Sequence, residues 1–238
     1  VQKLFFCCTK KSLKMSKFIS LVAIFSIFCH YINICNGTIG VDVSQPFSES
    51  DWSCLRSNGN QFMISRAWYS YGAYDSGGCT NLVNAHNAGI QYHDIYMFPC
   101  RGKSATTQMN DLIADIEKCG VQPGMIWLDI EVNPSGGCGW GSDYSSNCQY
   151  VQELVSAGKA KGKVIGIYSS EYEWETVMGS RYACTAVSSE ALWYAHYDNN
   201  PSFSDYGSTA FGGWSKPSIK QYEGDKTECG CGVDLNYY

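Results

Sequence analysis

The chain has 238 residues, of which 45% are hydrophobic, 14% aromatic and 16% charged. This length can bury a sizeable core, and the many aromatic side chains exclude an intrinsically disordered chain. Residues 38–238 hold 12 basic and 22 acidic side chains, a net charge of −10, which argues against nucleic acid as a partner.

Residues 1–37 have the pattern of a secretory signal segment. Lysines precede an apolar run over residues 18–29, and the stretch that follows ends with the small residues Cys35 and Gly37. Met15, ahead of this run, fits the true start of translation. A transmembrane anchor is the alternative, but spanning a bilayer takes about 20 apolar residues, and this run is shorter. We expect cleavage near Gly37, no stable membrane anchor afterwards, and a protein that is secreted or resides in a phagosomal or lysosomal lumen.

Short apolar strands alternate with helices along residues 38–238. The predicted strands cover 38–43, 61–68, 90–98, 125–130, 163–169, 191–197, 218–222 and 232–237. The predicted helices cover 48–57, 80–87, 104–118, 147–161 and 170–178. Strands separated by helices of this length indicate parallel βαβ units, and eight strands with about five helices fit a closed barrel. We therefore predict an α/β fold, an irregular TIM-like (β/α) barrel in a single domain, with helices missing from the loop-rich stretch 198–216.

Nine cysteines follow the predicted targeting segment, a density that is ordinary for a secreted protein and unusual in a reducing compartment. The number is odd, so at least one thiol is free or pairs outside the domain. The most local pairing is Cys138 with Cys148, which would close a glycine-rich loop. The sequence has no Cys-x-x-Cys pair and no His-Glu-x-x-His motif, so we expect neither a metal site nor a cofactor.

Two acidic residues stand at the end of a hydrophobic strand. The run Trp-Leu-Asp-Ile-Glu places Asp129 and Glu131 two residues apart, so both side chains point the same way in an extended strand. Barrel enzymes place their catalytic groups at this end of their strands. A protonated acid beside an ionised one is the pair that glycosidic bond cleavage requires. The alternative is an ordinary strand end with two solvated acids.

Asp42 and Asp234 interrupt the first and the last predicted strand, which are hydrogen-bonded neighbours in a closed barrel. A charged side chain inside a short hydrophobic strand is rare unless it has a partner or a role. Either residue alone is also explained by a sheet edge or a turn. Acids at matching positions of three strands make coincidence the weaker explanation, and we expect the four carboxyl groups to converge.

Four strand segments carry specific motifs. They are Gly-Val-Asp-Val-Ser at 40–44, Trp-Leu-Asp-Ile-Glu at 127–131, Leu-Trp-Tyr-Ala-His-Tyr at 192–197 and Val-Asp-Leu-Asn at 233–236. Together and in this order they resemble the strand motifs of glycoside hydrolase family 25, the Chalaropsis-type lysozymes, and above all its secreted nematode and protist members. The resemblance covers residues 38–238. The high cysteine content departs from many bacterial members.

The resemblance implies a TIM-like barrel that hydrolyses the β-1,4 bond between N-acetylmuramic acid and N-acetylglucosamine in bacterial peptidoglycan, without a cofactor. By position it implies that Glu131 is the general acid/base, and that Asp129 assists the substrate's acetamido group or stabilises positive charge. Asp42 and Asp234 would complete the acidic floor.

Aromatic residues flank the acids in a way that suits a sugar, because rings cover sugar C–H bonds and phenol hydroxyls bond to acetamido groups. Tyr96, Tyr168 and Tyr194 lie near strand ends and are predicted to bind substrate. The resemblance places Tyr96 and Tyr168 at the barrel mouth. Arg66 is predicted to orient an acid, with a solvent-facing strand end as the equal alternative.

The leading interpretation is a secreted, monomeric muramidase whose partner is bacterial peptidoglycan. An inactive glycan-binding barrel is the first alternative, although a lectin does not need all four acids. A chitinase-like glycosidase is another, since both substrates carry acetamido groups. A structural protein held by disulfides leaves the strand-end acids unexplained. The spacing of Asp129 and Glu131 lies between the carboxyl separations of retaining and inverting glycosidases, so it does not decide the stereochemistry.

Overall fold

Eight strands close into a barrel in the computed structural model, which describes residues 37–238 as one unit. The predicted targeting segment lies outside the described residues, except for Gly37, and stays a prediction. Within residues 37–238, no helix combines the length and the apolar character that crossing a membrane requires.

The observed elements follow the predicted ones in order. The strands are β1 (Ile39–Val43), β2 (Phe62–Tyr69), β3 (Ala73–Tyr74), β4 (Tyr92–Met97), β5 (Ile126–Asp129), β6 (Ile165–Ser169), β7 (Ala191–Ala195), β8 (Ile219–Glu228) and β9 (Cys231–Tyr237). The helices are α1 (Glu49–Ser57), α2 (Ser76–Ala88), α3 (Ala105–Ile116), α4 (Tyr144–Ala160), α5 (Glu171–Met178) and α6 (Tyr206–Thr209), with a 3-10 turn at Thr185–Val187. The short elements β3 and α6 were not predicted, and β8 continues well beyond its predicted end.

The barrel is closed and mostly parallel. Neighbouring strands follow the order β1, β9, β8, β7, β6, β5, β4, β2, and β1 pairs with β2 to complete the circle. β9 runs antiparallel to both β8 and β1, because a tight hairpin connects it to β8 where a helix would connect parallel strands. The predicted TIM-like barrel is thus confirmed, and its last strand is the main irregularity.

Two apolar layers hold the barrel together. Helices pack large side chains against the outer face of the sheet, among them Trp52, Leu112 and Trp174, which are all buried. The inner layer consists of Phe62, Ile64, Trp127, Tyr168, Trp193 and Ile219. Because successive side chains of a strand point to opposite faces, one strand supplies both layers. The inner rings of Tyr168 and Trp193 also line the cavity at the carboxyl ends of the strands.

Helix ends follow local capping chemistry. The predicted capping box at the start of α1 is present: Ser48 Oγ accepts a bond from Asp51 N, and Asp51 Oδ2 accepts one from Ser48 N at 2.9 Å. The predicted glycine cap of α2 is Gly89, at a φ of 83° that a side chain would strain. α5 begins after Ser170, whose Oγ accepts a bond from Glu173 N at 3.1 Å.

The stretch 198–216 contains one helix, the four-residue α6, in agreement with the predicted lack of helices. A buried ion network holds this stretch against the barrel. Lys220 is fully buried, and its Nζ donates to Asp198 Oδ2 at 2.7 Å and to Asp205 Oδ1 at 3.0 Å. Such a buried ammonium group is tolerated because two carboxylates compensate for its desolvation.

Four disulfides connect the loops and helices, and they correct the expected pairing. Cys138 bonds to Cys100, while Cys148 bonds to Cys184. The loop that contains Cys138 lies on the segment after β4, where Arg101 N donates to Cys138 O at 3.1 Å. Cys148 lies on α4, whose face packs against the segment after α5, so the two cysteines have different neighbours.

The other bridges are Cys54–Cys229 and Cys79–Cys119. Cys54 lies on α1 and Cys229 at the tip of the β8–β9 hairpin, so their bridge ties the first helix to the last strand pair. Among the described cysteines, Cys231 has no disulfide partner, as the odd number requires.

We expect thiol titration of residues 37–238 in denaturant to find one free thiol. Replacing both Cys54 and Cys229 by Ala should lower the unfolding free energy by about 2–5 kcal/mol in chemical denaturation, because this bridge spans 175 residues. Cys231→Ala is the matched control and should change it by less than about 1 kcal/mol. Three or more free thiols in the unmodified protein would contradict the pairing.

Candidate active site

A cavity of about 160 Å³ opens at the carboxyl ends of the parallel strands. It is lined by Asp42, Tyr96, Asp129, Glu131, Tyr168, Trp193, Tyr197, Gln221 and Asp234. The four predicted acids therefore meet in one place, although they come from β1, β9 and the end of β5. None of the residues that line the cavity is a lysine, an arginine or a histidine.

Asp129 and Glu131 reach the cavity from the end of β5. The paired strand stops at Asp129, but the chain continues beside β6, because Ile130 N donates to Tyr168 O at 2.9 Å. Ser169 Oγ donates a hydrogen bond to Ile130 O at 2.7 Å. The chain thus keeps the two acid side chains on the cavity side, as the two-residue spacing predicts.

Asp42 and Asp234 face each other across the β1–β9 ladder, where they form a register pair. Because β9 is antiparallel to β1, its middle residue Asp234 lies beside Asp42 near the end of β1. Asp42 Oδ1 accepts bonds from Gln221 Nε2 at 2.8 Å and Asn236 Nδ2 at 2.7 Å. Asp234 Oδ1 accepts from the backbone N of Asp225 at 2.7 Å.

Gln221 on β8 is the polar centre of the cavity wall. Its Nε2 donates to Asp42 and, at 3.2 Å, to Asp234, while its Oε1 accepts bonds from Tyr168 Oη at 2.6 Å and Tyr197 Oη at 2.9 Å. Sequence reasoning missed this residue, as well as Tyr197 and Asn236. The available signal was a glutamine two residues after Ile219 in a predicted strand, hence on the face that points into the barrel.

Burial and mutual repulsion raise the pKa values of these carboxyl groups. Burial, with a further contribution from Glu173, raises the pKa of Glu131 to about 7. Burial and the neighbouring Asp234 raise the pKa of Asp42 to about 8, although two amide donors oppose the shift. Burial and Glu131 raise the pKa of Asp129 well above its usual range. The cavity therefore retains protons at neutral pH that solvated carboxyl groups would have lost.

The Asp129 carboxyl group is buried and hydrogen-bonds with the Glu131 side chain. Within residues 37–238, no donor reaches its Oδ1 atom. A buried acceptor without a donor is costly, and it is typical of a place where a ligand supplies the missing group. Asp129 Oδ1 therefore offers a bond to an N–H or O–H group that enters the cavity.

The structure places some of the predicted substrate-binding residues in the cavity and others outside it. Tyr96 and Tyr168 line the cavity. Tyr194 does not, because the alternation along β7 turns Trp193 inward and Tyr194 outward, where its hydroxyl donates to Asp205 Oδ1 at 2.9 Å. Arg66 also lies apart from the four acids.

Arg66 is the partner of Asp75, the residue that caps α2. Its Nε donates to Asp75 Oδ2 at 2.8 Å, and its Nη2 donates to Ser44 O at 2.8 Å. Arg66 thus bonds to an acid, as predicted, but this acid is Asp75 outside the cavity, and the side chain joins β2 to the start of α2 and the segment after β1.

Among residues 37–238, the cluster with the donor atoms for a metal ion consists of His196, Asp198 and Asp205. The Lys220 ammonium group already bonds to both carboxylates, and His196 Nδ1 lies 2.7 Å from Asp205 Oδ2. The Lys220 ammonium group is thus the cation of this cluster, and the same carboxylates do not suit a metal ion in addition.

Known proteins share this fold and these motifs. A family profile described as "Lysozyme-like protein 1" matches residues 33–222. "Probable GH family 25 lysozyme 2" of Dictyostelium discoideum is 41% identical over 219 residues, which cover 91% of this chain and 98% of that protein. The chain belongs to glycoside hydrolase family 25. By this membership it is a glycoside hydrolase of the lysozyme type.

Two further comparisons concern a second relative and a solved structure. "Lysozyme-like protein 5" of Caenorhabditis elegans is 35% identical over 215 residues, which cover 89% of this chain and 95% of that protein. The crystal structure of the bacterial lysozyme from Streptomyces coelicolor superposes with a TM-score of 0.68 at 24% identity, over 85% of this chain and 92% of that one. The latter likeness supports the barrel fold.

We expect Asp42→Asn to raise the thermal stability of this family 25 barrel more at pH 8 than at pH 4.5. A carboxyl group whose folded-state pKa is raised stabilises the fold below its unfolded pKa, and this contribution is lost as the pH rises through the folded value of about 8. The neutral amide avoids that loss, which is on the order of a few kcal/mol, and its oxygen can still accept from Gln221 and Asn236.

Melting temperatures of the wild type and the Asp42→Asn variant at both pH values test this expectation. Asp111→Asn on the exposed face of α3 is the matched control, and it should show no gain that grows with pH. An equal effect of Asp42→Asn at pH 4.5 and pH 8 would contradict the assignment of a raised pKa to Asp42.

Proposed function

We propose that this chain is a muramidase that cleaves the β-1,4 bond between N-acetylmuramic acid and N-acetylglucosamine in bacterial peptidoglycan. The observation that supports this most is the convergence of four carboxyl groups in one cavity, in which Glu131 has a pKa of about 7. Such a carboxyl group holds a proton at mildly acidic pH and can donate it to a leaving oxygen. A carbohydrate-binding barrel without hydrolysis would not need this group.

In the proposed reaction Glu131 is the general acid. It donates its proton to the glycosidic oxygen while the C–O bond at the anomeric carbon breaks. Asp129 Oδ1 accepts the acetamido N–H of the substrate, the donor that this buried atom lacks. The acetamido oxygen, oriented in this way, attacks the anomeric carbon. Water then attacks the same carbon, the bond from this carbon to the acetamido oxygen breaks, and a proton of the water passes to Glu131, which gives net retention of configuration.

The remaining groups shape the site around the positive charge that develops on the sugar. Gln221 Nε2 donates to both Asp42 and Asp234 and so fixes the direction of these two carboxyl groups. The Tyr168 and Tyr197 hydroxyls donate to Gln221 Oε1, so their oxygens have lone pairs available for sugar hydroxyl or amide donors.

We also propose that the protein acts as a secreted monomer or in a phagosomal or lysosomal lumen after cleavage near Gly37, without a membrane anchor. Four disulfides suit an oxidising compartment. All four acids come from one chain, so the cavity needs no second subunit.

Glu131→Gln should reduce peptidoglycan hydrolysis by about 10²–10⁴-fold, because the amide cannot donate the proton. Substrate binding should persist, since Gln keeps the shape of the side chain. Turbidity clearing of purified cell wall measures hydrolysis, sedimentation with cell wall measures binding, and circular dichroism checks folding. A folded Glu131→Gln variant that clears cell wall at the wild-type rate would exclude Glu131 as the acid.

Asp129→Asn should also slow hydrolysis strongly, because the amide weakens the acceptor for the acetamido N–H and removes charge stabilisation. A soluble chitin substrate assayed in parallel separates muramidase from chitinase-like activity. Faster turnover of chitin than of cell wall would favour the chitinase-like alternative.

The wild-type rate should fall as the pH rises through about 7, since Glu131 loses its proton in this range. Initial rates measured from pH 4 to 9 at constant ionic strength give the midpoint of this decline. Repeating the series at higher salt separates this titration from repulsion by an anionic wall, which salt screens. An activity maximum above about pH 8 would be incompatible with Glu131 as the proton donor.

A further inference from the structure

Glu173, in the first turn of α5, is a charged residue next to the cavity that the reaction above does not use. Its Oε2 accepts a hydrogen bond from the backbone N of Val132 at 2.8 Å. Val132 directly follows Glu131, so a side chain from a neighbouring helix holds the peptide group that joins these two residues. The residue is half-buried, and its backbone N is bonded to Ser170 Oγ.

This bond matters because the strand ladder no longer holds the chain at Glu131. β5 ends at Asp129, and the last backbone bond to β6 is made by Ile130. Beyond it, Trp140 Nε1 donates to Glu131 O at 2.7 Å and Glu173 accepts from Val132 N. Two side chains therefore hold the carbonyl and the N–H of the one peptide group that joins Glu131 to Val132.

We propose that Glu173 is a positioning residue for hydrolysis, which holds the backbone of Glu131 and places a further negative charge beside the Glu131 carboxyl group. The proposal rests on the proposed function, in which Glu131 is the proton donor. Glu173 suits both tasks, because a negative side chain is favoured in the first turn of a helix and the bond to Val132 limits its movement.

The side chains around Glu131 that can carry a charge are all acidic. Asp129 faces it from β5, Asp234 from β9 and Glu173 from α5, while Asp42 faces Asp129 from β1. The other ionisable groups of the cavity wall are the phenols of Tyr96, Tyr168 and Tyr197, which are neutral at the pH of interest. After burial, Glu173 is the largest cause of the raised pKa of Glu131.

The neighbouring glutamates of α5 have other partners or surroundings. Glu171 forms an ion pair with Arg181. Glu175 is exposed and lies outside the cavity that holds the four acids. Among the three acids of this helix, Glu173 alone is bonded to the backbone next to Glu131.

Glu173→Gln separates the two tasks, since the amide oxygen can still accept from Val132 N but the charge is gone. We expect the alkaline limb of the rate–pH profile to move down by about 0.5 to 1 pH unit, with rates at pH 5 within about twofold of wild type. Glu173→Ala also loses the acceptor, so its rate at pH 5 should fall by about fivefold to tenfold in addition to the same shift.

Glu153→Gln, an exposed glutamate on α4, changes the net charge equally and should leave the limb in place. A second readout avoids catalysis: carboxyl ¹³C NMR titration, with the Glu131 signal assigned from Glu131→Gln, should show the same downward shift in Glu173→Gln. Circular dichroism confirms that each variant is folded.

The proposal would be overturned if the alkaline limb of the Glu173→Gln rate–pH profile coincided with that of the wild type or moved to higher pH. An unshifted Glu131 signal in the NMR titration would overturn it as well. Failure of the proposed function has a different signature, namely an active Glu131→Gln variant or a wild type that does not cleave cell wall.

Discussion

The burial of several carboxyl groups at one end of the barrel, with no cation among the cavity-lining residues, is the constraint on which the site depends. Desolvation and mutual repulsion make four ionised groups at this place too costly, so protons stay bound near neutral pH. This shortage of positive charge is also what a proton donor and a stabiliser of a cationic sugar require. The same burial therefore keeps a proton available for catalysis and makes the ionised carboxyl groups costly for the folded chain.

The architecture makes this burial possible by supplying neutral donors instead of charges. Gln221 and Asn236 donate to Asp42, and a backbone N–H donates to Asp234. Both amides come from the last two strands, β8 and β9, whose mutual pairing is antiparallel. The antiparallel β9 brings Asp234 into register with Asp42, and the Cys54–Cys229 bridge ties the tip of that hairpin to α1. The irregular part of the barrel is therefore the part that organises the acids.

A second feature fixes the backbone at Glu131. Past the end of β5 the chain is fixed by side chains from outside the strand, since Trp140 bonds to Glu131 O and Glu173 to Val132 N. The cationic groups of the neighbourhood are engaged elsewhere: Lys220 with Asp198 and Asp205 outside the barrel, and Arg66 with Asp75. They stabilise the loops around the cavity without neutralising it.

The sequence by itself determined the alternation of strands and helices, the closed barrel, and the meeting of the four acids, because strand periodicity and closure are local and repetitive rules. Family motifs then linked those acids to lysozymes. Gln221 and Glu173 were missed because a glutamine in a short strand and a glutamate in a first helical turn are ordinary residues there. The position of Tyr194 near a strand end predicts substrate binding, but its side chain points away from the cavity, because one residue of register reverses the face to which a side chain points. Cysteine partners, hydrogen bonds between β8 and β1, and the charge that α5 brings beside Glu131 join residues far apart in the chain. Only the tertiary structure decides such contacts, because they depend on how separate elements pack and not on the residues nearby in sequence.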